Sequence, residues 1–86
     1  MAYYQILNWG EIPSQIKAWD DVDEVNVELP ARFMARIDAA AHSKGLTGED
    51  DYLSQWNWSE EKQREGSAAE VAAVVQAELE ARFPAA

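Results

Sequence analysis

Cysteine is absent from this 86-residue chain, and histidine occurs once, as His42. Without thiols there is no disulfide staple, no thiolate zinc site and no cysteine nucleophile, and one imidazole is too few for an ordinary structural metal site. Glycine is scarce, and Gly10, Gly45, Gly48 and Gly66 form no phosphate-binding loop. Ser14, Ser43, Ser54, Ser59 and Ser67 include no G-x-S-x-G nucleophile elbow. Basic residues are few as well: seven against sixteen acidic ones, a formal charge of −9 that repels phosphate backbones and anionic headgroups. No apolar run approaches the roughly 20 residues that span a bilayer. The opening MAYYQILNWGEI also lacks the basic start and unbroken apolar run of a secretory signal. These absences predict a soluble cytoplasmic protein that binds neither nucleic acid nor membrane. No catalytic residue, cofactor site or metal site emerges from the sequence, and the chain is expected not to be an enzyme.

What is present predicts a single domain over residues 1–86. A chain of this length buries only about 60–65% of the surface its unfolded form exposes, so a small core has to hold it together. Tyr3 to Trp9 is a short aromatic and aliphatic run ending at Gly10, which reads as a strand. Its adjacent Ile6 and Leu7 point to opposite faces, which suits a central position. After a turn near Pro13, SQIKAW puts Ile16 and Ala18 on one face and Lys17 and Trp19 on the other. Val25, Val27 and Leu29 then alternate with Asn26 and Glu28, the period of a third strand, with the acidic run Asp20 to Glu24 at the hairpin tip.

Pro30 is suited to open a helix. Phe33, Ile37, Ala40 and Ala41 follow at helical spacing, broadened by Met34, and Gly45 has the chemistry of a helix C-terminus. A second helix is expected from Thr47, capped by its hydroxyl with Asp50, with Glu49, Asp50 and Asp51 at its positive end and Tyr52, Leu53 and Trp56 buried. Trp56 and Trp58 lie about 200° apart around any helix, so either one of them packs or the helix ends before both. Ser59 to Gly66 reads as a polar linker. Ser67 and Glu70 form a capping box for a third helix, whose apolar stripe is Val71, Val74, Val75, Leu79 and Phe83 and whose stop is Pro84. The expected fold is α+β: a small antiparallel sheet of about three N-terminal strands packed against about three helices.

The carboxylates offer no ligand spacing. Asp20, Asp21, Asp23 and Glu24 lack the alternation, the glycine and the terminal bidentate glutamate of a calcium loop, and read as a solvated tip. Four tryptophans in so short a chain are the more informative feature, because an indole suits a surface where an apolar body meets a polar edge. Trp9 and Trp56 are assigned to the core. Trp19 and Trp58, beside loops, are the candidate partner-binding residues, joined by Ile12, Pro13 and Gln15 of an irregular segment next to a strand.

Several segments, IPSQIKA, ELPARFMARIDAAA, LTGEDDYLSQWNW and REGSAAEVAAVVQAELEARF, make the chain resemble the bacterial family labelled "virulence factor", also found as a region of conserved virulence factor C. The resemblance rests on I-P-S-Q, on L-P-x-R-F leading into I-D-A-A-A, and on Y-L-x-x-W, and covers nearly the whole chain. It implies small stand-alone bacterial proteins, in cyanobacteria and proteobacteria among others, some encoded near folate- and corrinoid-dependent methyl-transfer enzymes. It carries over no catalytic residue, and relatives often have methionine where this chain has His42. The leading expectation is a non-catalytic module that docks on a larger cytosolic protein, one with a basic surface matching the acidic charge. The rival is an accessory subunit of one-carbon metabolism that binds a small ligand between Tyr4, Gln15, Arg36 and Tyr52.

Overall fold

A computed structural model describes residues 1–46 and 48–83. The elements run β1 (Ala2–Trp9), β2 (Ile12–Trp19), β3 (Glu24–Glu28), α1 (Ala31–Ser43), α2 (Glu49–Leu53), β4 (Trp56–Trp58), β5 (Lys62–Arg64) and α3 (Ala68–Arg82). The architecture is α+β: an antiparallel sheet of five strands in the order β3-β2-β1-β4, with β5 also paired to β1, and three helices. The sheet has more strands than the three expected, because two short ones form where the sequence reads as helix and linker.

β1 is central. Its turn into β2 is Gly10–Glu11, not Pro13, with Trp9 paired to Ile12 across it. Gly10 at φ +59 followed by a residue of negative φ is the glycine-first hairpin turn that matches the strand twist. Pro13 instead lies inside β2, fully buried, where the register shifts and Ser14 is the extra residue. A proline is tolerated there because a bulge interrupts the ladder that its missing N–H would have joined.

Cross-strand pairing sorts the side chains. Tyr4 faces Ala18 and Ile6 faces Ile16, with Val27 and Val25 alongside from β3. This side is covered by α3, whose Ala68, Val71, Ala72, Val75 and Leu79 are buried against it together with Phe33 of α1. Val74, expected in the stripe, is instead 49% exposed. The small alanines of α3 let its backbone lie close to the sheet. A second cluster joins Trp9 to Ile37 and Ala41 of α1, with Ile12, Tyr52 and Trp56 packed around them.

The helix ends follow local chemistry. Pro30 occupies the position before α1 rather than its first turn, and at the other end the Gly45 N–H reaches His42 O and the Leu46 N–H reaches Ala41 O, with Gly45 at φ +71. Ser67 and Glu70 cap α3 reciprocally, at 3.2 Å and 3.1 Å. α2 is a short turn with Glu49, Asp50 and Asp51 at its start and buries no residue; Leu53 is 54% exposed. Thr47 as its cap and Pro84 as the stop of α3 lie outside the described residues.

Candidate docking face

The helix expected to bury Trp56 stops at Leu53, before both tryptophans, and residues 56–58 form a strand. The paired tryptophans then obey a period of two instead of 3.6, which puts both side chains on the same face. Trp58 pairs with Leu7 and Trp56 with Trp9. Trp56 is partly buried in the second cluster, whereas Trp58 is 47% exposed.

The face they share is the side of the sheet turned away from α3. One row across it runs Glu28, Gln15, Leu7, Trp58, taken in order from β3 to β4. A second row runs Glu24, Trp19, Tyr3, Gln63, and Asn26, Lys17 and Gln5 lie between the two. Trp19 and Trp58 therefore belong to one surface, separated by about 13 Å along the strands and about 10 Å across them. Their environments differ. The Trp19 ring stacks on Tyr3, with centroids 5.9 Å apart, and carries the Lys17 ammonium 5.6 Å from its centroid, while Lys17 also reaches Glu24 at 3.8 Å. Among the described residues Trp58 is in no such stack.

At the Trp56 end, α1 closes the face and leaves a pocket of about 290 Å³ lined by Ser14, Gln15, Glu28, Leu29, Phe33, Met34 and Trp56. Of the residues singled out in the sequence, Gln15 lines this pocket, Ile12 packs beside Trp9, and Pro13 is buried beneath the bulge that presents Ser14 and Gln15. The ligand constellation Tyr4, Gln15, Arg36 and Tyr52 does not converge. Tyr4 lies on the α3 side under the Arg64 guanidinium, Arg36 sits over the Phe83 ring, and Tyr52 packs between Trp9 and Trp56.

Three polar residues missed in the sequence hold the face in place. Ser59 opens the segment whose polarity predicts a linker, yet its N–H donates to Ile6 O and its hydroxyl accepts from the Ile6 N–H, both at 2.8 Å. It continues the β4 ladder through its side chain, and β5 resumes with its register displaced by one residue. Arg64 of β5 then binds Glu78 of α3 through two bonds of 2.7 Å, which hold the Glu78 carboxyl below its ordinary value and raise the guanidinium. The hairpin tip is likewise structural. Asp20 accepts from the Asp23 and Val22 N–H groups through one oxygen and from the Ala68 N–H, at the start of α3, through the other, at 2.8 Å. These bonds, that from Asp23 foremost, keep its carboxyl below the usual range. With both oxygens engaged, it is no free cation ligand. Among the described residues no three His, Asp or Glu side chains gather in a metal-binding group, and no helix is long and apolar enough to cross a membrane.

Fold and face define a small α+β domain whose sheet is covered on one side by α3 and left partly open on the other. The chain belongs to the family described as "Virulence factor", whose model matches residues 7–86. No curated protein and no solved structure matches it.

Proposed function

We propose that this protein is a non-catalytic interaction module that docks on a larger cytosolic protein through the open sheet face. The observation that carries the reading is Trp58: a large indole, nearly half exposed, paired beside Leu7 and next to a pocket on the same side of the sheet. An exposed aromatic anchor beside a concave site is the usual makeup of a binding hot spot. The charge of −9, with Glu24 and Glu28 at the margin of the face, matches a partner with a basic surface and predicts association that weakens with salt.

The test is affinity capture from the native host at moderate salt with the intact protein, Trp58→Ala and Val74→Ala, the last removing an exposed apolar side chain from α3. One stoichiometric protein, lost on Trp58→Ala and kept on Val74→Ala, is the expected outcome. Equal capture by all three would overturn the assignment of the face, and capture of nothing by the intact, folded protein would overturn the docking reading itself.

A further inference from the structure

We infer that the pocket at the Trp56 end of the open face is an arginine pocket, which receives one guanidinium side chain from a basic segment of the partner. This rests on the docking reading above and names the side chain that docking selects.

The pocket lining divides by chemistry. Leu29, Phe33, Met34 and Trp56 supply apolar walls, and Ser14, Gln15 and Glu28 supply acceptors. Glu28 is the only ionisable residue of the lining, and among the described residues it pairs with no cation: the ion pairs are Lys17–Glu24, Arg32–Glu80 and Arg64–Glu78. The side chains of Ser14 and Gln15 also make no hydrogen bond among the described residues. Glu28 and Gln15 are direct cross-strand partners, so their acceptor groups project side by side. An apolar slot with one unpaired carboxylate and neighbouring neutral acceptors is complementary to a long apolar stem ending in a delocalised cation.

Arginine fits better than lysine. Its methylenes can lie along Leu29, Phe33 and Met34, its plane can stack on the Trp56 indole, and its forked donors match the Glu28 carboxylate and the Gln15 carbonyl. An ammonium offers a point charge and no stacking plane. The volume agrees with one side chain: about 290 Å³ is at the bottom of the range that holds whole small-molecule ligands, about 300–1,000 Å³. Charge selects the occupant too, since a second copy of this acidic chain would bring like charge to Glu28.

The experiment titrates Nα-acetyl-arginine amide into the ¹⁵N-labelled full chain, with the citrulline analogue, equal in shape but uncharged, and the lysine analogue run in parallel. The Trp56 indole N–H and the Gln15 side-chain amide should shift with arginine, with citrulline at least tenfold weaker and lysine between them. Glu28→Gln should reduce the arginine response to the citrulline level while leaving the amide spectrum dispersed. Equal responses to arginine and citrulline, shifts confined to another surface, or no shift at all would each overturn the inference. Failure of the two proposals is separable. If arginine is not selected but Trp58→Ala still loses the partner, only the pocket assignment falls; if arginine is selected but the intact, folded protein captures nothing, the docking reading falls while the pocket keeps its preference for a guanidinium.

Discussion

Trp9 ties the second core cluster to the candidate face, and its removal gives a sharp test of how that end of the molecule is held. The side chain is 1% exposed and packs on Ile37 and Ala41, its indole N–H donates to Tyr52 O at 2.9 Å, and its ring centroid lies 5.6 Å from that of Tyr52. Truncating a buried tryptophan to alanine costs about 3–5 kcal/mol. A domain of this length has about 4–13 kcal/mol in total, at roughly 0.05–0.15 kcal/mol per residue. At about 4–8 °C per kcal/mol for domains of this size, Trp9→Ala should lower the melting midpoint by about 12–40 °C. Trp9→Phe keeps a ring but loses the donor, and the Tyr52 carbonyl retains the Gln55 N–H at 3.3 Å. That variant should lose about 1–2 kcal/mol. Thermal denaturation followed by near-ultraviolet circular dichroism measures both. Amide exchange adds the location: in Trp9→Phe, α2 should exchange faster while α3 keeps its protection, because the lost bond is to α2. A Trp9→Ala protein melting within about 5 °C of the parent would refute this account of the second cluster.

Two further outcomes follow from the polar residues that fix the sheet. Ser59→Ala leaves the Ile6 N–H without its hydroxyl acceptor, so it should destabilise by about 1–3 kcal/mol and raise exchange at the Ile6 amide; unchanged exchange there would contradict the ladder role of the serine. Asp20, Glu70 and Glu78 are all held below their ordinary carboxyl values in the fold. The unfolded chain therefore binds protons more readily at these groups, and their stabilisation is present above a pH of about 4 and is lost as pH falls through the folded values. Urea midpoints measured across that acid range should fall less steeply for Asp20→Asn than for the parent, and identical slopes would show that the three backbone bonds to Asp20 do not stabilise the fold.

Much of the fold was legible because its signals are local. The alternation in Ser14 to Trp19 and in Val25 to Val27 set the faces of β2 and β3, and Ser67 with Glu70 marked the start of α3. Gly45 likewise marked the end of α1. The misreadings fall where tertiary pairing overrides local pattern. Trp56 to Trp58 and Lys62 to Arg64 are three residues each, too short to show a period, and become strands only because β1 offers them an unpaired edge. Lys-Gln-Arg carries no apolar residue, so nothing in it signals burial; its reason for being ordered is Glu78, fourteen positions away from Arg64. For the candidate site, Trp19 and Trp58 were visible as surplus indoles, and Gln15 as part of an irregular segment. Glu28 was hidden among sixteen acids, since only the register against Gln15 singles it out.

The one-residue displacement between β4 and β5 also sorts charge. If the β4 register ran on unbroken, Lys62 would fall opposite Tyr3, and Arg64 would project on the same side as Trp58. The extra residue turns both cations over, to the side where Lys62 sits opposite Tyr4 and Arg64 meets Glu78. Among the described strand residues paired across the open face, this leaves Lys17 as the one cation, and it is already engaged with Glu24 and Trp19. Deleting Glu60 or Glu61 would make the ladder continuous yet leave Lys62 opposite Tyr4 and Arg64 opposite Ala2, whereas a one-residue slip of β5 with both glutamates in place would carry the two cations to the side of the tryptophans.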